Sequence, residues 1–145
     1  MLIDYVHNPP GMMALGRLVE RLPSARRLIM LGQAGDRADE AIRELARAAW
    51  SLRPHRVMIK GMAEYLRGRA PGEVPALLSD EFARLGADEA TVSQAGRDIE
   101  GVRQALEWAR PGDLLVLAVH EDRTEIMSLL GHLQAAGWKA GEALP

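Results

Sequence analysis

The sequence contains no cysteine among its 145 residues, which excludes a disulfide framework and any metal site built on thiolates. Aromatic residues make up only 4% of the chain, too few for a platform on which nucleic acid bases stack. The longest apolar run, Leu114–Val119, is far shorter than the roughly 20 residues that span a bilayer. Neither sign of charge dominates, with 18 basic and 20 acidic side chains. We therefore expect neither nucleic acid nor a membrane as a partner.

The expected compartment and the expected lack of a metal site also rest on features that the sequence does not contain. There is no basic and apolar leader at the N-terminus and no cysteine, so the cytoplasm is the expected location. The four histidines show no close metal-ligand spacing on one helix face, and no metal site is predicted.

Short apolar runs alternate with longer helical patterns along the whole chain. The runs are Leu2–Ile3, Leu28–Leu31, Val57–Ile59, Thr91–Val92 and Leu114–Val119. Helical periodicity covers about residues 9–21, 37–50, 71–85, 97–109 and 123–136, and Trp138–Ala140 is a candidate final edge strand. This alternation predicts a Rossmann-like α/β fold, with a mainly parallel sheet of about six strands and helices on both faces. The 48% hydrophobic content and the length predict a single domain over residues 1–145.

Several residues mark where the predicted helices begin and end. Asp98 is expected to cap one helix, and Gly86 and Gly137 fall where two others should stop. The sequence Arg110-Pro111-Gly112-Asp113 predicts a turn into the most apolar strand.

Sheets of this kind bind ligands at the carboxyl ends of their strands, and four of these junctions are polar here. They contain Asp4, His7 and Asn8 after the first run; Gly32, Gly35, Asp36 and Arg37 after the second; Lys60, Arg67 and Arg69 after the third; and His120, Glu121 and Asp122 after the last. The predicted topology brings the four junctions together.

The first junction, Asp4-Tyr5-Val6-His7-Asn8-Pro9, combines a carboxylate, an imidazole and an amide before a proline that suits the first turn of a helix. Asp4 can accept hydrogen bonds from a ribose, with His7 or Asn8 close to phosphate. The residues alone equally allow Asp4 to cap the helix and His7 to be solvated. The segment resembles the Asp-Tyr-Ala-His-Asn-Pro motif that opens the C-terminal domain, or glutamate ligase domain, of the Mur ligase family. The resemblance implies nucleotide binding by Asp4, His7 and Asn8.

The second junction, Gly32-Gln33-Ala34-Gly35-Asp36-Arg37, joins flexible backbone to a helix start. Such turns are common, and Asp36 could simply cap the helix while Arg37 faces water. The segment resembles the Gly-x-Gly-Gly-Asp-Arg loop of the same family, with Ala34 in place of a glycine. The resemblance implies that Gly32, Gly35, Asp36 and Arg37 face the acyl phosphate and the acceptor substrate.

The third junction places Arg67 and Arg69 between glycines, and a guanidinium fork suits carboxylate or phosphate. A solvent-facing basic loop is the alternative, and Lys60 beside it is given no separate role. The Asp-Asn-Pro-Arg motif of many Mur ligases is missing. The Leu-Arg-Gly-Arg-x-x-Gly-Glu pattern is instead most similar to cyanophycin synthetase within the family, which implies that Arg67 and Arg69 orient substrate carboxylates.

The end of the last apolar strand, Ala118-Val119-His120-Glu121, is similar to the family's Gly-Lys-Gly-His-Glu terminus only at His120 and Glu121. A site role for these two residues is therefore a hypothesis, and a polar strand end is the alternative.

The resemblance implies part of an ATP-dependent ligase that joins a carboxylate to an amino acid through an acyl phosphate. Complete members use ATP and Mg²⁺, and hold the phosphates with a Gly-Lys-Thr or Gly-Lys-Ser loop (the P-loop) in a central domain. This chain has no such loop. We expect the chain alone to be inactive and to bind no cofactor tightly. Its expected partners are a P-loop ligase domain, in the same or another chain, and an amino-acid or peptide substrate. The alternative is a free-standing, non-catalytic module that binds a partner protein or a second copy of itself.

Overall fold

The computed structural model describes all 145 residues, Met1–Pro145, as alternating strands and helices. The strands are β1 (Leu2–Asp4), β2 (Arg27–Leu31), β3 (Arg56–Lys60), β4 (Val92–Ala95) and β5 (Leu114–Ala118). The helices are α1 (Pro9–Val19), α2 (Asp39–Trp50), α3 (Glu73–Arg84), α4 (Asp98–Trp108) and α5 (Arg123–Ala135), with a short 3₁₀ turn at Ala63–Tyr65. Apart from the final strand, every element predicted from periodicity is present, with ends shifted by a few residues.

The five strands form one sheet in the order β1-β5-β2-β3-β4, and all neighbouring pairs are parallel. One hydrophobic core packs α1, α2 and α3 against one face of the sheet, and a second core packs α4 and α5 against the other. Because both faces are covered, the central strands β2 and β5 are apolar along their length rather than alternating. The prediction of a Rossmann-like α/β sheet with helices on both faces is confirmed.

The sheet has five strands rather than six, because Trp138–Ala140 forms a turn. The indole N–H of Trp138 donates to the carbonyl oxygens of Glu142 and Ala143 at 3.3 and 3.2 Å. Gly137 and Gly141, with φ of 70° and 99°, adopt the left-handed region and interrupt any extended backbone. The apolar character of this segment serves packing, since Trp138 and Ala140 lie against the second core.

Helix α2 shows how the sequence pattern becomes packing. Its buried residues Ile42, Leu45, Ala46 and Ala49 recur at three and four and face the sheet. Each fully buried aliphatic side chain contributes about 1.5–3 kcal/mol relative to an exposed one. No helix has the length and apolar character needed to cross a membrane.

The strand register places the polar junctions at one edge of the sheet. Asp4 at the end of β1 pairs with Ala118 at the end of β5, and Lys60 at the end of β3 pairs with Ala95 at the end of β4. Since all strands run in the same direction, the loops that follow them emerge on the same side.

Candidate functional site

The polar junctions form two groups on either side of the end of β5. The first group follows β1 and contains Asp4, Tyr5 and His7, with His120 from the end of β5. Asp4 is exposed, and its carboxylate has no hydrogen-bond or ion-pair partner within the chain. The rings of Tyr5 and His120 meet edge to face, with centroids 4.9 Å apart, and those of Tyr5 and His7 lie 5.6 Å apart. An acceptor carboxylate thus stands beside an aromatic surface, and Tyr5 is 56% exposed.

His120 ties β5 to the loop after β1. Its Nε2–H donates to the carbonyl oxygen of Val6 at 3.0 Å, while its Nδ1 is buried without a partner. Burial, with the nearby charge of Lys60, lowers the pKa of His120 to about 4. The imidazole is therefore neutral at pH 7 and holds the two loops together as a hydrogen-bond donor.

Asn8 caps α1, a role that the sequence also allowed for Asp4. Its Oδ1 accepts from the backbone N–H of Gly11 at 2.8 Å, and its amide nitrogen donates to His7 Nε2 at 3.3 Å. His7 in turn donates from Nδ1 to the carbonyl oxygen of Tyr5 at 3.0 Å. The alternative in which Asp4 caps the helix does not hold, because Asn8 satisfies the helix end and leaves the Asp4 carboxylate without a partner in the chain.

The second group surrounds a pocket of about 320 Å³ at the ends of β2, β3 and β4. Apolar contacts come from Met62, Leu66 and Val74. Polar side chains are contributed by Gln33, Lys60, Arg97, Glu100 and Glu121. The volume lies in the range of small-molecule sites, and the mixture of apolar wall and few polar groups is typical of them.

The loop after β2 packs directly on the loop after β3. The backbone N–H of Gly35 donates to the carbonyl oxygen of Tyr65 at 2.9 Å. A Cβ built on Gly35 would lie 2.0 Å from the carbonyl oxygen of Leu66, so no larger residue fits this approach. A Cβ on Gly32 would lie 2.8 Å from Cγ of Lys60. Both glycines of the resemblance motif therefore allow close packing of the two loops.

Arg69 fastens the same two loops together. Its guanidinium donates to the carbonyl oxygens of Gly35 and Arg37 at 2.9 and 2.7 Å. It also pairs with Asp39 at 2.7 Å and with Glu73 at 2.5 Å. Because all these partners lie within the chain, Arg69 stabilises the loops around the pocket and does not line the pocket itself.

The other predicted basic residues are available to a ligand. Arg67 is exposed, has a left-handed backbone with φ of 49°, and holds its guanidinium 5.4 Å from the ring centroid of Tyr65. It has no carboxylate partner within the chain. Asp36 and Arg37 are both exposed, and their charged groups lie 4.0 Å apart. Asp36 does not cap α2, whose N-cap is Ala38.

A buried ion pair connects the pocket to the end of β5. Lys60 and Asp98, both fully buried, form a direct salt bridge from Nζ to Oδ1. The other carboxylate oxygen of Asp98 accepts from the backbone N–H groups of His120 and Glu121 at 2.6 and 2.9 Å. Burial lowers the pKa of Lys60, and the hydrogen bond to Asp98 opposes this effect. Asp98 is the first residue of α4 but not its cap, so the predicted capping role is wrong.

Two residues that line the pocket, Gln33 and Glu121, each have a buried Oε1 atom without a hydrogen-bond partner. Burial, followed by the nearby charge of Asp98, raises the pKa of Glu121. No cluster of three or more His, Asp or Glu side chains in the structure is arranged to hold a metal ion.

The family model described as "Mur ligase, glutamate ligase domain" matches residues 1–119. The chain belongs to the Mur ligase family. The predicted resemblance is confirmed.

Relatives of this Mur ligase domain include cyanophycin synthetases and cell-wall ligases. The cyanophycin synthetase of Crocosphaera subtropica is 32% identical over 129 residues, which cover 89% of this chain and 14% of that protein. The UDP-N-acetylmuramoyl-L-alanyl-D-glutamate–2,6-diaminopimelate ligase of Corynebacterium efficiens is 28% identical, covering 94% of this chain and 29% of that protein. A solved structure of a ligase with the same name shares the fold, with a TM-score of 0.65 and 18% identity over 94% of this chain and 29% of that one. The chain thus spans less than a third of these relatives.

The sequence reasoning gave no role to Gln33 and no separate role to Lys60, and it took Asp98 for a helix cap. A lysine at the end of the apolar run Val57–Ile59 does indicate a buried partner, because a buried charge must be paired. The sequence offers 20 acidic residues and no means of choosing Asp98 among them. Gln33 occupies the variable position of its motif, so no pattern marks it.

Proposed function

We propose that the chain is the C-terminal, nucleotide- and acceptor-binding domain of an ATP-dependent ligase that joins a carboxylate to an amino acid, similar to cyanophycin synthetase. The observation that carries this proposal is the division of one sheet edge into two sites. Asp4 stands free on one side of β5, and a pocket of about 320 Å³ opens on the other. A ligase of this kind needs a nucleotide and an acceptor held side by side.

The group after β1 suits the nucleoside part of ATP. The Asp4 carboxylate can accept both hydroxyl hydrogens of a ribose. Exposed Tyr5, packed on His120, offers an aromatic face beside it. Asn8 donates a hydrogen bond to His7, and this contact holds the loop at the start of α1.

The pocket suits the acceptor amino acid. In the proposed reaction ATP transfers its terminal phosphoryl group to a carboxylate, the acceptor amine attacks the resulting acyl phosphate, and phosphate leaves as the amine loses a proton. Two exposed guanidinium groups can bind the carboxylate of the acceptor: Arg67, which has no carboxylate partner, and Arg37, whose one ion pair is with exposed Asp36 at 4.0 Å. Arg69 orients their loops rather than the substrate, because its donors are used within the chain.

The chain carries only part of the machinery for phosphoryl transfer. That reaction depends on positioning and neutralising the phosphates, which requires groups such as a P-loop lysine and Mg²⁺. The residues at this site fit a ribose and an acceptor but supply neither a P-loop nor a carboxylate cluster for magnesium. We propose that a P-loop ligase domain supplies them and that the chain alone is inactive.

The test is a calorimetric titration of ATP and ADP into the purified chain and into Asp4→Ala. We expect weak binding that Asp4→Ala reduces roughly tenfold or more, because a hydrogen bond to a charged acceptor contributes about 1.5–3 kcal/mol. Glu20→Ala, which removes an exposed carboxylate at the C-cap of α1, is the matched control and should bind like the wild type.

The outcomes separate two functions. Equal affinity of wild type and Asp4→Ala would remove Asp4 from the nucleotide site. No binding of either nucleotide at millimolar concentration would leave a half-site that needs its partner domain and a free-standing, non-catalytic module, and capture of a partner would then separate the two.

A further inference from the structure

We propose that the amino ends of β2 and β3 form a second ligand site, which binds a phosphate group. This site lies at the edge of the sheet opposite to Asp4 and the acceptor pocket. The inference goes beyond the proposed function, because none of the lining residues belongs to the ligase site. A pocket of about 500 Å³ is lined there by Ser24, Arg27, Trp50, Arg53, Pro54 and His55.

The pocket contains two guanidinium groups and no carboxylate. Arg27 uses two of its five N–H groups inside the chain: Nε donates to Ser24 Oγ at 3.1 Å, and Nη1 donates to the carbonyl oxygen of Leu52 at 3.0 Å. Arg53 is exposed, and its side chain forms no hydrogen bond or ion pair within the chain. Neither arginine has a carboxylate partner, so both positive charges are left for a ligand.

The other polar side chains of this pocket can also donate to a ligand. His55 Nδ1 accepts from the backbone N–H of Arg27 at 3.2 Å, so the hydrogen of the neutral imidazole lies on Nε2. Ser24 Oγ accepts from Arg27 and keeps its own hydroxyl hydrogen. The indole N–H of Trp50 has no acceptor within the chain, and its ring packs beside that of Phe82 with centroids 6.0 Å apart. The lining therefore offers donors from four different groups and no negative charge.

The nearby end of α2 does not account for the unpaired charge of Arg53. Cations are favoured at a helix C-terminus, because its carbonyl oxygens carry partial negative charge. Here the carbonyl oxygen of Ala48 accepts from the hydroxyl of Ser51 at 2.7 Å, and that of Trp50 accepts from the backbone N–H of Arg53 at 2.9 Å. The helix end is thus paired without the Arg53 guanidinium.

A phosphate group matches this set of donors better than a carboxylate does. A phosphomonoester carries a charge of about −1.5 to −2 at pH 7 and has three strong acceptor oxygens. Each guanidinium fork can bind two oxygens at once, so Arg27 and Arg53 can share one phosphate group. A carboxylate brings a single charge and would leave one guanidinium unbalanced. The volume of about 500 Å³ also leaves room for the organic part of a phosphorylated molecule.

The strands separate this site from the acceptor pocket. β2 and β3 each contain five residues, with the phosphate site at their amino ends and the acceptor pocket at their carboxyl ends. At about 3.3 Å per residue, the two edges of the sheet lie about 15 Å apart. A ligand at the amino ends is therefore distinct from an amino acid in the acceptor pocket.

The experiment is an NMR titration of the ¹⁵N-labelled chain with inorganic phosphate, phenyl phosphate and benzoate, in a buffer of low ionic strength. Benzoate keeps the ring of phenyl phosphate but carries a single charge. We expect both phosphates to shift the indole N–H of Trp50 and the backbone amides of Arg53 and His55. Phenyl phosphate should bind at least tenfold more tightly than benzoate. The indole N–H of Trp138, which donates to carbonyl oxygens elsewhere, should not shift.

Variants then assign the binding to Arg53. Arg53→Gln removes one charge at an exposed position, and we expect it to lower the affinity for phenyl phosphate roughly tenfold. Arg53→Lys keeps the charge without the fork and should bind with an affinity between those of Arg53→Gln and the wild type. Arg103→Gln removes an exposed arginine from α4 and is the matched control, with the affinity of the wild type. Unchanged signals from the rest of the chain show that each variant is folded.

The outcomes are specific to this site. Benzoate that binds as tightly as phenyl phosphate, or Arg53→Gln that binds no more weakly than Arg103→Gln, would overturn the inference. So would the absence of shifts at Trp50 and Arg53 at millimolar phosphate. Equal affinity for the two phosphates would support a site for free phosphate, and tighter binding of phenyl phosphate would support a site for a phosphorylated molecule. None of these results bears on the proposed ligase function, which the titration of Asp4→Ala tests.

Discussion

At the level of single residues, adjacent positions in the sequence serve different halves of the site. His120 turns toward the loop after β1 and donates to the carbonyl oxygen of Val6. Glu121, the next residue, lines the pocket on the other side. The sequence presents them as one polar strand end, because nothing in a His-Glu pair indicates which neighbouring loop each will meet.

The neutral state of His120 leads to a pH-dependent stability. The folded-state pKa of about 4 lies below the ordinary 6.5, so between these values the unfolded chain binds a proton that the folded chain excludes. The contribution to stability is complete above about pH 6.5 and is lost as the pH falls toward 4. We expect its size to be on the order of 2 kcal/mol, after allowance for partial solvent exposure.

The measurement is the free energy of unfolding in urea from pH 4 to pH 8, for the wild type and for His120→Gln. Glutamine can still donate to Val6 but does not titrate, so the stability difference between the two proteins should change across this window. A constant difference would contradict the assigned neutral histidine. His132→Gln, on the exposed face of α5, controls for the general effect of replacing a histidine by glutamine.

At the level of structural elements, the Lys60–Asp98 pair connects three of them. It joins the end of β3 to the start of α4, and Asp98 also holds the backbone that follows β5. Both side chains are fully buried, so each charge depends on the other. The pair thus sets the position of Glu121 in the pocket.

Removing one charge of this pair should be strongly destabilising. For Asp98→Asn we expect a loss of about 3–5 kcal/mol in the free energy of unfolding, because Lys60 would remain buried without a counter-charge. The double variant Lys60→Met/Asp98→Asn should recover most of that loss, since no charge is left and the asparagine oxygen can still accept from the loop. Urea denaturation measures both.

An exposed ion pair supplies the comparison. Glu40→Gln weakens the ion pair between Arg47 and Glu40, whose side chain is 64% exposed. We expect this substitution to lower the free energy of unfolding by less than about 1 kcal/mol. If Asp98→Asn lost no more stability than Glu40→Gln, the buried pair would have no role in holding the three elements.

At the level of the whole molecule, the strand order creates the two-sided site. The return from β4 places β5 between β1 and β2, and the helices after β4 and β5 cover the opposite face from the first three. The loops therefore diverge at the end of β5 and leave a crevice on each side. The chain matches only 14–29% of the length of the ligases compared above, which agrees with a domain that works beside others.

A chimeric enzyme tests the proposed partnership. In it, this chain replaces the matching 129-residue segment of the cyanophycin synthetase of Crocosphaera subtropica. We expect ADP release from the chimera that depends on an amino-acid acceptor, and none above background from the chain alone, because the phosphates are held elsewhere. Asp4→Ala should lower the rate roughly tenfold, while Glu20→Ala should not. ADP release by the isolated chain, or a chimera indifferent to Asp4→Ala, would contradict the proposal.

The sequence by itself determined the fold class, the family, and most residues at the edge of the sheet. Apolar periodicity and strand-end motifs depend on neighbours in the chain, so residues such as Asp4, Arg37 and Glu121 can be found by reading along it. The sixth strand was wrongly predicted because Trp138 is apolar for packing rather than for pairing.

Only the tertiary structure decided which polar groups are used up and which remain free. Arg67 and Arg69 lie in the same loop, yet only Arg69 is occupied by four partners in the chain, three of which lie 30 or more residues away. Asp98, 38 residues beyond Lys60, became its partner through the pairing of β3 with β4, and Gln33 was left with an unpaired oxygen by the packing around it. Pairing and burial are properties of distances in space, and those distances exist only once the strands have assembled.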